Sequence, residues 1–332
     1  MEKKNVAILG ATGAVGREMM KILEERDFPV GELRLLASAR SAGKTLTFRG
    51  EEITIQEATK DSFEGIDIVL GAAQNAVAKE LAPAIVKAGA VFVDNSSAFR
   101  MDPDVPLIVP EINAGDAKLH HGIISNPNCS TIITVTAVYP LSQVSPIETM
   151  VASTYQARSG AGAGGPVELM GEIEAGIKGE TYEPKVFAYQ LAYNLIPDIG
   201  SPLDNDYTTE EMKMQNEGRK IMHLPDLRVT CTCVRVPVIR SHAISVTIRT
   251  KEKISVEKAR EVLSDAPGVR LLDDLRKKEY PMPLLTSDQD LVYVGRIRDD
   301  LTCENGLTLF VSGDQIRKGA ATNAVQIAEL LL

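Results

Sequence analysis

Of the four cysteines in the chain, Cys129 has the surroundings of a nucleophile. It stands in Ser-Asn-Pro-Asn-Cys-Ser-Thr (125–131), ahead of the apolar run 132–139, IITVTAVY. That run predicts a buried helix with Cys129 at its N-terminus, where the dipole and free amides favour a thiolate. The same amides face the place where an oxyanion would develop during attack on a carbonyl. A buried structural thiol is the bland alternative, but the polar flanks Asn, Pro, Asn, Ser and Thr argue for the reactive one. Histidines at 120, 121, 223 and 242 offer a base. His120 and His121 are adjacent in a polar loop and are expected to face solvent. His242 opens an alternating segment seven residues after Arg235, and a Cys–His pair is a workable nucleophile–base combination. A lone histidine on a strand is more often structural, so spacing alone leaves His242 open. Cys231 and Cys233 should share a strand face, but no second Cys or His pair stands at ligand spacing, which disfavours a metal.

A second chemical feature lies near the start of the chain. Gly10-Ala-Thr-Gly13-Ala-Val-Gly16 follows an apolar strand and opens a helix, the setting in which a pyrophosphate meets backbone amides. The amides near Thr12, Gly13, Ala14 and Val15 are the expected phosphate contacts. The G-x-x-G-x-x-G spacing is weak alone and much stronger in this strand–turn–helix context. NAD-selective sites place a carboxylate after the second strand, whereas here that segment reads Ala37-Ser-Ala-Arg40-Ser41. Arg40 can fork onto a 2′-phosphate with help from Ser41, which points to NADP. A solvated surface arginine is the plain alternative.

These residues need a frame. In the first half, apolar strands at 6–9, 33–37, 66–70 and 91–93 alternate with helices at 13–26 and 76–88, the second carrying Pro83. Alternation of this kind predicts a parallel, doubly wound sheet. From about residue 147 the texture changes to period-two runs at 227–238, 242–248, 292–297 and 307–311, which predict a mostly antiparallel sheet covered on one face. An apolar-striped helix follows at 320–332, and 197–209 reads as a loop. The expected class is α/β, a Rossmann-like dinucleotide domain joined to an α+β domain. At 332 residues the chain is comfortable for two domains. A net charge of −9 argues against a nucleic-acid surface. The opening MEKKNVAILGATG reads as neither signal peptide nor membrane span. Four cysteines at no framework spacing fit reduced thiols and a cytoplasmic compartment.

With these segments assembled, the chain resembles the aspartate-semialdehyde dehydrogenase family over essentially its full length. The resemblance rests on Gly10–Gly16, Asp94-Asn-Ser-Ser-Ala-Phe-Arg100, Asn126-Pro-Asn-Cys129-Ser-Thr, Tyr155-Gln156 with Ser159-Gly160-Ala-Gly162, Glu210-Glu-Met-Lys213, Arg235 to His242, and Gly319-Ala-Ala. NPNCST and the Arg-to-His spacing are the specific ones. One departure is Arg158 with the glycine-extended loop 160–165, where the family usually carries a small or apolar residue before Ser-Gly-Ala-Gly.

The resemblance implies roles at matching positions. Cys129 would attack aspartyl phosphate to form a thioacyl enzyme and release phosphate, and NADPH would reduce that enzyme to L-aspartate 4-semialdehyde. His242 would shuttle the proton, and Gln156 would hold the substrate beside the thiol. Arg235 would take the α-carboxylate and Glu210 the α-amine, with Glu211 the alternative. Arg100 and Lys213 would bind phosphate, aided by Ser97 and Asn128. Ser159, Gly160 and Gln315 would contact the cofactor. It further implies a nucleotide domain over 1–127 with 315–332, a catalytic and dimerisation domain over 128–314, a homo-oligomer (dimer or tetramer), and a place in lysine, threonine, methionine and diaminopimelate synthesis.

The nearest rival is N-acetyl-glutamyl-phosphate reductase, which runs the same chemistry on an acylated substrate with no ammonium for a glutamate to meet. Extended short-chain reductases share the glycine loop but need Tyr-x-x-x-Lys, and none of the eight tyrosines has Lys four residues on. A non-enzymatic NADP sensor with a redox-reactive Cys129 is the third reading.

Overall fold

A computed structural model describes residues 2–158 and 164–332. Its contacts divide the chain into two units. The first comprises the residues up to Asn128 together with Ala320–Leu332, and the second comprises Cys129–Gly319. The division lies one residue later than expected at the first crossing and five residues later at the return, so Gln315 belongs to the second unit.

The first unit runs β1 (Lys4–Leu9), α1 (Ala14–Glu25), β2 (Val30–Ala37), β3 (Thr45–Phe48), β4 (Glu51–Thr54), β5 (Gln56–Glu57), β6 (Ile68–Gly71), α2 (Asn75–Lys87), β7 (Val91–Asp94), α3 (Pro110–Asn113) and β8 (Ile123–Ser125). Its main sheet has the order β5-β2-β1-β6-β7-β8, with every pairing parallel. Side chains of β1 alternate between two cores, as the period of a strand requires. Val6 and Ile8 pack with Met19, Ile22 and Leu23 of α1, whereas Ala7 and Leu9 pack with Ala78, Leu81 and Ile85 of α2. Two covered faces explain why these strands read as unbroken apolar runs. The β3–β4 hairpin was not legible in the hydrophobic pattern, because its strands are short and half exposed. Its turn is Arg49-Gly50, both with positive φ (51° and 82°), the geometry of a tight two-residue connection.

The second unit runs α4 (Cys129–Ser142), β9 (Ile147–Gln156), α5 (Gly164–Lys178), α6 (Thr209–Met222), β10 (Arg228–Arg235), β11 (His242–Thr250), α7 (Val256–Ser264), β12 (Val269–Leu271), α8 (Pro283–Thr286), β13 (Val292–Asp299) and β14 (Gly306–Gly313). The sheet order is β10-β9-β11-β14-β13-β12. Its three central pairings are antiparallel and its two edge pairings parallel, so the sheet is mostly antiparallel, as expected, with parallel pairing at both rims. Helix α4 is apolar all round. It is buried accordingly, with Ile132, Ile133, Val135, Ala137 and Val138 fully enclosed.

The chain then returns to the first unit as α9 (Thr322–Glu329). Ala324, Val325, Ile327 and Ala328 enter the core shared with α1. Arg26 forks onto Glu329 with both contacts at 2.7 Å, and Asn323 Nδ2 donates to Asn126 Oδ1 at 2.6 Å and to the Ile108 carbonyl at 2.9 Å. Ile327→Ala should destabilise the first unit by about 2–5 kcal/mol through transfer and cavity costs. Urea unfolding followed by a probe in that unit checks this. A midpoint equal to wild type would mean that α9 contributes little to the core.

Candidate active site

Cys129 is the first residue of α4, which places its sulfur at the positive end of the helix dipole. Room for it comes from Gly319, because a Cβ there would stand 2.9 Å from Cys129 Cβ. The His242 Nε2 lies 3.4 Å from Cys129 Sγ. His242 opens β11 directly after Ser241, a buried residue at φ +73°. That left-handed conformation costs a non-glycine residue roughly 1 kcal/mol. It is held by the Ser241 N–H donating to Gln315 Oε1 at 2.7 Å and by a hydroxyl contact to Ser287 at 3.1 Å. The imidazole Nδ1 accepts the Ala157 N–H at 3.0 Å. Burial first, and then the charge of Arg235, push the His242 pKa down to about 3 against an opposing pull from Glu210. The ring is therefore neutral near neutral pH.

The end of β9 carries the polar groups beside this pair. Gln156 Nε2 donates to Glu210 Oε1 and to Thr154 Oγ1, both at 3.3 Å. The other Glu210 oxygen accepts Lys213 Nζ at 2.7 Å, one turn along α6. Glu211 is occupied elsewhere. It closes a capping box with Thr208 and accepts the Cys233 N–H at 3.1 Å. Arg235 sits opposite Gln156 in the β9–β10 register, and its Nη1 donates to the Ala157 carbonyl at 2.8 Å. Its buried Nε has no hydrogen-bond partner among the described residues, and a desolvated guanidinium in that state favours an anionic acceptor. The Phe187 ring lies 5.5 Å from the Arg235 guanidinium and 4.4 Å from that of Arg158.

In the first unit, Arg100 is buried and fixed by two carbonyls, with Nε on Asn126 at 2.9 Å and Nη2 on Asn95 at 2.7 Å. Ser97 is held by Asn75 through both its N–H and its hydroxyl, each at 2.9 Å. Asn128 is buried. Between β1 and α1, Gly10 has φ +91°, and a Cβ on Gly16 would approach the Gly10 carbonyl oxygen to 2.4 Å. No side chain caps α1 at Gly13, so its first-turn amides fit a pyrophosphate. A cavity of about 620 Å³ opens over this turn, lined by Gly10, Ser38, Ala39, Thr59, Lys60 and Glu80 among others. Its lining takes in Ser38 and Ala39 but neither Arg40, which is exposed, nor Ser41, which is buried. No group of three His, Cys, Asp or Glu side chains suited to a metal occurs among the described residues. Among the described residues no helix is long and apolar enough to cross a membrane.

Two family models match the chain, "Semialdehyde dehydrogenase, NAD binding domain" over residues 5–120 and "Semialdehyde dehydrogenase, dimerisation domain" over residues 138–318. An aspartate-semialdehyde dehydrogenase of Synechocystis is 52% identical over 327 residues, covering 98% of this chain and 97% of its own. The chain belongs to the aspartate-semialdehyde dehydrogenase family. The Bacillus subtilis member is 49% identical, with 98% and 97% of the two chains covered. Among solved structures, aspartate semialdehyde dehydrogenase II complexed with ASA from Vibrio cholerae superposes with a TM-score of 0.97 at 42% identity, covering 100% of this chain and 98% of that one. The Candida albicans enzyme with NADP gives 0.79 at 26% identity, with 99% and 98% covered.

The structure thus brings Cys129, Gln156, Glu210, Lys213, Arg235 and His242 into the second unit, while Arg100, Ser97, Asn128, Arg40 and the glycine loop belong to the first. Gln315 is buried with its carbonyl oxygen on Ser241. Ser159 and Gly160 lie outside the described residues. Arg158, where the family usually has a small or apolar residue, is fully buried and ion-paired with Glu168 and Glu172 of α5. Residue types alone did not single out Ala157, whose contacts are made by its backbone, or Phe187. The capping-box spacing Thr208-x-x-Glu211 was the signal that separates Glu210 from Glu211.

Two expectations follow. Iodoacetamide should label Cys129 ahead of Cys303 and well ahead of the buried Cys231 and Cys233, as read by peptide mapping. Preferential labelling of Cys231 with retained activity would remove Cys129 from the nucleophile's place. The second expectation concerns His242, whose proton affinity is lower folded than unfolded. The unfolded chain therefore takes up a proton that the native state refuses. This group's contribution to stability is complete above about pH 6.5 and is lost as pH falls toward 3. At pH 5 the loss is about 2 kcal/mol. Denaturation between pH 8 and 5 should show that slope in wild type and a shallower one in His242→Gln. Parallel slopes would sink this expectation.

Proposed function

We propose that the chain catalyses the reversible NADPH-dependent reductive dephosphorylation of L-4-aspartyl phosphate to L-aspartate 4-semialdehyde, through a thioacyl intermediate on Cys129. The observation that carries this reading is the Cys129 sulfur at the start of α4, 3.4 Å from His242 Nε2. The Cys129 thiolate attacks the acyl carbon, His242 shuttles the proton, and Gln156 orients the substrate from the end of β9. Arg235 supplies the fork for the α-carboxylate, a role supported by its unsatisfied Nε. Glu210, already bonded to an ammonium in Lys213, takes the substrate's α-amine. Lys213 and Arg100 then hold phosphate with Ser97 and Asn128. A carboxylate waiting for an amine is pointless on an N-acylated substrate, which favours the aspartyl compound over N-acetyl-glutamyl phosphate.

When bound, the nicotinamide cofactor supplies the hydride. The loop Gly10–Gly16, with amides at Thr12, Gly13, Ala14 and Val15, holds its pyrophosphate. Ser159, Gly160 and Gln315 are further contacts by resemblance. NADP is preferred because no carboxylate ends β2 and Arg40 and Ser41 follow it; the Candida relative solved with NADP supports this. We further propose a homo-oligomer formed through the second unit and, from four cysteines that form no disulfide, a cytoplasmic setting.

One assay tests the activity: NADP reduction with aspartate semialdehyde and inorganic phosphate, set against the acetylated glutamate analogue. Turnover confined to the acetylated compound would overturn the substrate assignment. Arg235→Lys should lose about 2–3 kcal/mol in kcat/KM, because an ammonium cannot replace a bidentate fork. Unchanged kinetics would return Arg235 to a structural role. Arg40→Ala should weaken NADP by about 1.5–3 kcal/mol and leave NAD use where it was. The ratio of kcat/KM for the two cofactors reads this directly, and an unaltered ratio would remove Arg40 from the site.

A further inference from the structure

Arg158 and Phe187 have no part in the reaction as described so far. Glu168 and Glu172 stand four residues apart on α5, so their carboxylates share one helix face, an unfavourable arrangement without a cation between them. Arg158 is that cation. Its Nη1 donates to Glu172 Oε2 at 2.9 Å, and its Nη2 is paired with Glu168. Gly165 permits the approach, because a Cβ there would collide with the Arg158 carbonyl oxygen. The Arg158 side chain is fully enclosed and already committed to two carboxylates, so it cannot meet a substrate itself.

The same carboxylates hold a stretch that has no ladder of its own. Between α5 and α6 the chain forms no helix or strand, only isolated bridges. Glu168 Oε2 accepts the amides of Lys185 and Val186 at 2.6 and 2.7 Å. Glu172 Oε2 accepts those of Leu191 and Ala192 at 3.1 and 2.8 Å. Against the cost of burial, the amides of Lys185 and Val186, the Arg158 charge and the Phe187 amide hold the Glu168 carboxyl below the usual range. Phe187 lies between the two anchors, with its ring centre 4.4 Å from the Arg158 guanidinium and 5.5 Å from that of Arg235. Further on, Ile196 exchanges both backbone hydrogen bonds with Arg235, at 2.8 and 3.1 Å.

We infer that Arg158 is a positioning residue which, through Glu168 and Glu172, keeps the Phe187 ring against Arg235 and so fixes the fork that takes the substrate's α-carboxylate. The inference rests on the role proposed for Arg235 above. One edge of that guanidinium is tied to the Ala157 carbonyl, while its Nε has no partner among the described residues. A cation is attracted to an aromatic face, and a ring held there limits how far the fork can tilt. A fork that is already oriented loses less freedom when the anion arrives. The α-carboxylate does not react, so this help is equal in ground and transition states and is read in KM.

The first test uses Phe187, which is only half buried. Phe187→Leu keeps apolar bulk without the aromatic face, and Phe187→Tyr keeps the face. With aspartate semialdehyde, the leucine variant should raise KM roughly threefold to tenfold with kcat within about twofold, and the tyrosine variant should match wild type. Equal behaviour of the two variants, or a fall in kcat at unchanged KM, overturns the inference. The second test addresses the cluster. Arg158→Ala would strand two buried carboxylates, so Arg158→Lys is used, which keeps the charge but cannot fork onto both. Hydrogen exchange of the amides in 185–192 should quicken by roughly tenfold or more, with β9 unchanged. Unaltered exchange in 185–192, or equal acceleration throughout β9, overturns the inference. Should the lysine variant not fold, Glu168→Gln is read in the same way at Lys185 and Val186. Exchange needs no substrate, so it decides the anchoring even if wild type fails to turn over the semialdehyde, an outcome that would count against the proposed activity alone.

Discussion

The second unit hangs on the backbone of one small residue. Ala157 donates its N–H to His242 and accepts Arg235 through its carbonyl, so a single residue sets both the ring beside Cys129 and the buried guanidinium. This works because β9 lies between β10 and β11. Parallel pairing brings Arg235 level with Gln156, and antiparallel pairing brings Ala243 level with Tyr155. A slip of one residue in either register would turn these side chains to the opposite face. Sheet register is therefore the quantity that fixes where these side chains stand, and the covered faces of the sheet are what make that register unique.

Around this point the charges are arranged in advance. Glu210 is tied to Lys213 and Gln156, while Arg235 keeps one donor in reserve. Arg158 is neutralised by Glu168 and Glu172, whose remaining lone pairs are met by the amides of Lys185, Val186, Leu191 and Ala192. A buried arginine is tolerable only with such pairing. Phe187 lies within reach of both guanidiniums and presents an aromatic face to two like charges. Groups oriented before the substrate arrives need no reorganisation at the moment of reaction, which is the advantage of a preorganised site.

Much of this was legible in the sequence. Cys129 and the glycine loop declare themselves through local context, because a helix N-terminus and a strand–turn–helix are short-range features. The alternation from His242 to Ile248 similarly locates the start of β11. What was not legible depends on partners distant along the chain or on the backbone itself. Arg158 looked like an anomaly in a glycine-rich loop until Glu168 and Glu172, ten and fourteen residues on, were seen to enclose it. The role of Ala157 resides in a peptide group that every residue possesses, so no residue type could announce it. Ser241 reads as an ordinary polar residue, and only its φ reveals that it aims the histidine. The parallel rims of the second sheet escaped for a related reason, since alternation reports which face is buried and says nothing of direction.

The return of α9 to the first unit has a consequence in time as well as in space. A polypeptide leaves the ribosome from its N-terminus onward, and domains generally fold as they emerge. Here the core around Val6, Ile8, Met19 and Leu23 includes Ala324, Val325, Ile327 and Ala328, which are translated after the whole of the second unit. The nascent first unit must therefore wait with one apolar face uncovered while some 190 further residues are made. The second unit, being one continuous stretch, is free to mature in the meantime. Order of synthesis and order of completion are thus reversed, and the interval between them is when the growing chain has most need of a chaperone.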